Sequence, residues 1–338
     1  MRVAILEASH WHVPLYLQAL EAPGLEVVAV SDLEQNRGKA IADRFGARLY
    51  TGYDELLERE SIDFAFAFGR HVEMPRIGEA LISRNIPFAL EKPCGIRAAD
   101  VARLRDLART ANVYVAVPFI LRLSDLHAAL EQTEGRIPSD FAHMSFRFMA
   151  GPPSRYEAAG SAWALDPAQS GGGPTCNVGT HFIDLFRLLT GKEVVSVSAT
   201  MSSRLHRREI EDYSLVTMTT ADGVIGVVET GYTFPSTADE QREFSFTIAS
   251  RRAYAKSGPD RIEIRPREDV EPGTRSIRIR TETDVYYPAF VKRVLGDWQA
   301  GKPPIAGLED AAAMMRIIDA AYASARQGGV PVMLESTR

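Results

Sequence analysis

The first third of the chain alternates short, nearly continuous apolar runs with stretches whose apolar residues recur every three or four positions. The runs at residues 3–6, 27–31, 64–68, 88–91 and 113–117 predict strands covered on both faces. Between them, residues 14–20, 36–45, 73–83 and 98–110 predict helices. Pro14 suits a first helical turn, where its missing N–H costs nothing, and Gly46 marks a helix end. Such alternation specifies a parallel, doubly wound sheet with right-handed crossovers.

From about Pro118 the pattern changes. A helix at 124–132 leads to a strand at 141–149, then to a polar loop over 151–173 that contains Pro and Gly. A helix runs through His181 to Leu189. Strands follow at 194–201, 214–220, 224–233, 244–249, 262–264 and 277–280, with a hairpin signal at Asp222-Gly223. This predicts an open, mostly antiparallel sheet with a few helices on one face. Helices at 289–300 and 308–326 close the chain as scaffold, with the option of packing back on the first domain. The expected fold class is α/β: a Rossmann-like domain, 1–118, then an α+β domain, 119–338.

Composition narrows the function classes. With 338 residues, two domains are the default. A formal net charge of −5 gives no basic face for nucleic acid. The Arg-rich stretch from Arg204 to Arg208, with Glu209 and Glu211 behind it, reads as a solvated loop. Two cysteines, Cys94 and Cys176, are too few for a disulfide framework and fit a reducing cytoplasm. The sequence opens directly on a strand, so no signal peptide is expected, and no apolar run is long enough to span a bilayer.

In a Rossmann unit, glycines after the first strand let backbone approach a pyrophosphate at the helix N-terminus. Here that junction reads Glu7-Ala8-Ser9-His10-Trp11-His12, with Glu7, Ser9 and His12 where the glycines would stand. A carboxylate beside a pyrophosphate is repulsive unless it is turned away. The second strand ends in Asp32, placed either to hold the adenosine ribose or to cap the next helix. An acid there favours NAD over NADP; Arg37 nearby is the residue that would overturn the preference. His10 and His12 with Glu7 lack a recognisable third-ligand spacing and read as cleft packing, so no metal is expected.

Lys92 follows a buried strand and precedes Pro93, at the sheet edge where such folds bind ligands. Its ammonium suits charge developing on a substrate oxygen. His181 follows Gly171-Gly172-Gly173, with Asn177 one helical turn earlier. Histidine accepts a hydroxyl proton near neutral pH. Asp184 reads as structural.

Lys92 within Glu91-Lys92-Pro93, and His181 within the run from Gly171-Gly172-Gly173 to Gly179-Thr180-His181-Phe182-Ile183-Asp184, resemble the glucose–fructose oxidoreductase / inositol dehydrogenase (Gfo/Idh/MocA) family. Trp163 to Asp166-Pro167 and the closing Gly301-Lys302-Pro303-Pro304 extend the resemblance over essentially the whole chain. It implies an NAD(P)-binding Rossmann domain, an α+β domain for substrate and oligomerisation, and oxidation of a secondary or anomeric hydroxyl of a sugar or polyol, or the reverse. Lys92 and His181 correspond to the family's catalytic pair, with Asn177 beside them. Cofactor contacts are expected from Ser9, His10, Trp11, His12, Asp32, Arg37, Gly69, Arg70, His71, Glu91 and Lys92. Substrate contacts are expected from Arg155, Tyr156, Trp163, Asn177 and His181. Three departures stand out: Asn177 replaces the usual Asp, Gly69-Arg70-His71 replaces Thr-Pro-Asn, and the glycine fingerprint is lost.

The sequence reading is therefore an NAD-dependent dehydrogenase, with NADP as the other cofactor, acting as a cytoplasmic homodimer or homotetramer joined through the second sheet. Two alternatives stay open: a non-catalytic ligand-binding or regulatory relative, and an enzyme that uses tightly bound NAD for transient oxidation in epimerisation or elimination.

Overall fold

The structure is a computed structural model that describes residues 1–34, 36–237, 240–267 and 273–335. The chain forms two compact units. Unit 1 holds Met1–Pro118, Tyr156–Gly171 and Asp284–Met315; unit 2 holds Phe119–Arg155, Gly172–Thr283 and Arg316–Arg338. Among the described residues no helix is long and apolar enough to cross a membrane.

Unit 1 is built on β1 (Arg2–Leu6), β2 (Glu26–Ser31), β3 (Arg48–Tyr50), β4 (Phe64–Ala67), β5 (Phe88–Leu90) and β6 (Val115–Ala116). All neighbours pair in parallel, in the order β3-β2-β1-β4-β5-β6. The connecting helices are α1 (Val13–Leu20), α2 (Asn36–Phe45), α3 (Tyr53–Arg59), α4 (Met74–Ile82) and α5 (Ala98–Ala111). The central strands carry continuous apolar runs because both faces are covered: Val3, Ala4, Ile5, Leu6, Phe64 and Phe66 are fully buried. The strand order reverses between β1 and β4, which puts the ligand crevice outside their carboxyl ends. Glu7, Gly69 and Lys92, on the segments after β1, β4 and β5, are thereby gathered at one edge. β3 and α3 have no counterpart in the sequence reading. β3 is a three-residue edge strand with two exposed residues, so it presents no apolar run. The helix Tyr287–Gln299 packs on α1, with the Tyr287 and Phe290 rings against Tyr16.

Unit 2 is built on β7 (Phe141–Ala150), β8 (Val194–Ser202), β9 (Tyr213–Thr220), β10 (Ile225–Gly231), β11 (Arg242–Ser250), β12 (Ala253–Ser257), β13 (Arg261–Pro266), β14 (Arg275–Arg278) and β15 (Val332–Met333). Their order is β14-β13-β12-β11-β7-β10-β9-β8-β15, antiparallel throughout except for the β7–β10 pair. The β9–β10 hairpin turns at Asp222-Gly223: Gly223 takes φ 88°, and the Thr220 hydroxyl donates to Asp222 Oδ1 at 2.6 Å. β12 and β15 are also additions to the sequence reading. β12 is Ala-Tyr-Ala-Lys-Ser behind two arginines, too weakly apolar to stand out, and is held by backbone pairing on both edges. The stretch read as loop, 151–173, winds into short turns instead. There Asp166 accepts the Ala168 amide at 2.8 Å, with Pro167 in the first helical position. Such turns are too short to show a period.

The helix Thr180–Thr190 lays Phe182 against Phe146 and Phe148 of β7. Asp184, on the same helix, is fully buried, and both its oxygens are taken by Arg122: Nε at 2.9 Å and Nη2 at 2.6 Å. Its role is to close this fork. Removing one partner leaves an uncompensated charge in the core, so Asp184→Ala is expected to lose about 3–5 kcal/mol. Urea unfolding followed by far-UV circular dichroism measures this; a loss below about 1 kcal/mol would contradict the buried pairing.

Candidate active site

At the β1–α1 junction, Glu7 adopts φ 58°, the left-handed turn that the absent glycine would supply without strain. For a residue with a Cβ this costs roughly 1–2 kcal/mol. Ser31 Oγ accepts the Glu7 amide and donates to Glu7 Oε1, both at 3.1 Å, which ties the carboxyl to the end of β2. Burial, reinforced by the charges of Asp32 and Glu73 and opposed by the Ser31 hydrogen bond, lifts the Glu7 carboxyl to about 7. Below that pH the group is neutral.

Asp32 is fully buried. Its Oδ1 accepts the Ser9 hydroxyl at 2.5 Å, and its Oδ2 accepts the Gly38 amide in the first turn of α2 at 2.7 Å. It therefore ties α2 to the β1 loop. Arg37 donates to the Ser9 carbonyl at 3.0 Å, and Ser161 donates to the same oxygen at 3.0 Å. A narrow groove runs from Asp32 and Glu34 past Glu7 and Arg70 to His10 and Trp163. Gly69 stands on this groove with φ 105°, and a Cβ there would meet Ile77 at 2.7 Å. Arg70 donates to Gln169 at 2.9 Å.

Aromatic rings fill the far end. Trp11 stacks on His10 at 4.0 Å, and Trp163 lies 5.0–5.7 Å from His71, Trp11 and His10. Tyr156 meets Trp11 edge-on at 5.1 Å. His10 and His71 are each 1% exposed. His10 Nδ1 accepts the His12 amide at 3.1 Å, so its proton sits on Nε2. His71 Nδ1 donates to the Ser170 carbonyl at 2.7 Å, so its Nε2 carries the lone pair. Both Nε2 atoms are buried without a partner. Burial lowers both imidazoles, His71 to about 3, and the Lys92 charge adds to this, so both are neutral. The pair is one donor and one acceptor.

Lys92, 1% exposed, brings Nζ to 6.0 Å from the Trp11 ring. Glu91 Oε1 accepts the Tyr16 hydroxyl at 2.8 Å and lies 3.1 Å from His12 Nδ1, and Glu91 Oε2 accepts the Lys92 amide at 3.0 Å. Tyr287 reaches His12 Nδ1 at 3.1 Å. His10 and His12 thus gather with Glu91, their polar atoms within 4.8 Å of one another, and not with Glu7. His10 Nδ1, His12 Nδ1 and both Glu91 oxygens are engaged in hydrogen bonds or close polar contacts, while His10 Nε2 is not.

In unit 2 the turn Thr175–Gly179 is π-helical and runs into the α-helix from Thr180. Asn177 therefore lies in a π turn and His181 in the α-helix that follows, which refines the helical turn expected from the sequence; π turns recur at functional sites. Asn177 donates to the Tyr232 hydroxyl at 3.0 Å, and the Arg155 guanidinium lies 5.4 Å above the same ring. His181 is buried. The glycine run is clamped by Glu211, whose carboxylate accepts the amides of Gly173 (2.9 Å) and Thr175 (3.0 Å) and the Tyr322 hydroxyl (2.9 Å). A Cβ on Gly172 would fall on that hydroxyl, so only glycine passes there.

The sequence reading named the residues of each half but missed what fixes them. Glu211, Tyr232 and Tyr287 lie far from the motifs and show no spacing of their own, and Tyr16 reads only as an apolar position of α1. The one available signal was a carboxylate, Glu211, just before an apolar strand.

Residues 7–119 match the model of an oxidoreductase family with an NAD-binding Rossmann fold, and residues 140–253 match the GFO/IDH/MocA C-terminal domain. The chain belongs to the Gfo/Idh/MocA oxidoreductase family. Among its relatives, dTDP-3,4-didehydro-2,6-dideoxy-alpha-D-glucose 3-reductase of Streptomyces violaceoruber is 30% identical over 51% of this chain and 49% of its own. The match thus spans about half the length of that reductase. Myo-inositol dehydrogenase Hyg17 of Streptomyces leeuwenhoekii is 26% identical over 94% of this chain and 95% of its own. Among solved structures, levoglucosan dehydrogenase in complex with NADH and levoglucosan shares the fold with a TM-score of 0.83, at 15% identity over 99% of this chain and 100% of that one.

The Glu7 carboxyl makes a stability prediction. Its folded-state value is raised, so the native chain keeps a proton that the unfolded chain releases above about 4.5. Stability is therefore greatest below pH 4.5, falls by up to about 3 kcal/mol as pH rises to 7, and adds no further loss beyond. Glu7→Gln removes this component. All three tryptophans lie in unit 1, so urea unfolding by fluorescence at pH 4.5 and 7.5 reads it out; identical pH slopes for both proteins would refute the assignment.

Proposed function

We propose that this family member transfers hydride between a nicotinamide cofactor and a secondary or anomeric hydroxyl carbon of a sugar or polyol. The observation that carries the reading is Lys92: a lysine only 1% exposed at the carboxyl end of a Rossmann strand, among imidazoles kept neutral. Buried cations are costly and are kept where charge develops. In this reading Lys92 holds charge on the substrate oxygen. His181 takes the hydroxyl proton during oxidation and returns it in the reverse direction. Asn177, an amide, orients without holding a proton.

The residues of the crevice suit NAD, which supplies the hydride acceptor when bound. A primary carboxamide presents an acceptor oxygen and donor N–H groups, the complement of His10 Nε2–H and the His71 Nε2 lone pair. Asp32 stands at the end of β2, where a ribose would be held, and favours NAD over NADP. Glu7 turned onto Ser31 and neutral below pH 7 lessens the repulsion of a pyrophosphate. Trp163 and Tyr156 join this cluster, and Arg155 with Tyr232 flanks Asn177. The reading extends to a cytoplasmic homo-oligomer joined through the nine-stranded sheet, which carries Leu215 and Ile225 at 38% and 44% exposure.

One observation favours a non-catalytic ligand-binding relative: Glu7, Asp32, Glu34 and Glu73 all line the groove. Calorimetry with NAD at millimolar concentration separates the two, since binding is expected and its absence would favour the second. On a sugar or polyol oxidised by the wild type, Lys92→Ala and His181→Ala are each expected to lower kcat by about 10²–10⁴-fold. Two variants with wild-type kcat would end the assignment of roles.

A further inference from the structure

The segment joining β8 to β9 does not behave as a simple solvated loop. Ser203, Arg204, Arg207 and Arg208 line a recess of about 470 Å³, within the span of roughly 300–1,000 Å³ usual for small-molecule sites. Among the described residues no other lines it. Three guanidinium groups around one recess repel each other, so the arrangement needs support from the backbone.

That support is visible. Asp212 Oδ2 accepts the amides of Leu205 (2.7 Å) and His206 (3.0 Å). His206 Nε2 lies 3.0 Å from the Tyr232 carbonyl oxygen, and the Arg207 amide donates to the Ser203 carbonyl at 3.0 Å. Arg207 itself takes φ 54°, a left-handed conformation unusual for a residue with a Cβ. Of the two acids that follow the stretch, Glu211 is withdrawn, buried with its carboxylate on Gly173, Thr175 and Tyr322, while Glu209, next in sequence to Arg208, is exposed. Among the described residues, no carboxylate forms an ion pair with Arg204 or Arg207.

We propose that this recess binds a phosphate group, carried on a small molecule as a monoester or diphosphate. Guanidinium forks match phosphate oxygens two at a time, and the Ser203 hydroxyl adds a neutral donor. The loop also leads into the site described above, because Asp212 accepts the Tyr232 amide at 2.7 Å and the Tyr232 hydroxyl holds Asn177. The proposal goes beyond the redox reading and does not depend on it.

The test is a calorimetric titration of the full chain with inorganic pyrophosphate, wild type against Arg204→Gln/Arg207→Gln. Both side chains are at the surface, so the variant should fold, and unchanged circular dichroism verifies that. Saturable binding by the wild type is expected, weakened about tenfold or more in the variant. No saturation by about 10 mM pyrophosphate, or equal affinity in both proteins, would overturn the proposal. NAD titrated into both proteins keeps the two readings apart: its affinity is expected to be unchanged by the substitutions, whichever value it takes. Glucose 1-phosphate against inorganic phosphate then distinguishes the sources. Tighter binding of the ester supports a phosphorylated small molecule, and equal or tighter binding of the free anion would overturn that choice of ligand.

Discussion

A positive charge kept out of water organises the crevice of unit 1. Lys92 sits at the end of β5 with almost no exposed surface, and its ammonium has consequences for each ring around it. It helps to hold His10 and His71 in their neutral forms. Neutrality in turn gives each imidazole one donor and one acceptor nitrogen, and local backbone contacts decide which is which. A protonated His71 would present two donors and lose its complement to an amide. The chemistry available here therefore follows chiefly from burial, to which the Lys92 charge at the end of β5 adds.

The β1–α1 junction shows how a turn can survive the loss of its usual residue. Glu7 keeps the left-handed backbone that glycine takes freely, and its carboxyl is tied down by Ser31. The side chain that looked like an obstacle to an anion is turned sideways and made neutral by burial. Unit 2 applies a similar device with the opposite outcome: Glu211 stays engaged with backbone amides and holds the glycine run in shape.

Much of the architecture was legible in the sequence. The continuous apolar runs marked β1, β2, β4 and β5 because both faces of those strands are covered. Asp222-Gly223 marked a hairpin because glycine alone takes its φ without strain. β3, β12 and β15 escaped because short or weakly apolar strands owe their place to backbone pairing, which leaves no period. Lys92 and His181 stood out in the sequence by their frames of glycine or proline, and each is buried in its own unit. The groups that fix them did not stand out, since Glu211 meets the glycine run, and Tyr287 meets His12, only through the folded chain. Spacing showed a helical turn at Asn177 but not that the turn is a π turn.

The make-up of unit 1 bears on the order in which this protein matures. It draws on residues as far along as Met315, and the helix against α1 and the carbonyl that orients His71 both come from later in the chain than its sheet. A ribosome must therefore have synthesised the chain at least as far as Met315 before this half can close. Until then the nascent sheet exposes surface that its late-arriving segments will cover, which makes shielding by chaperones most relevant at that stage.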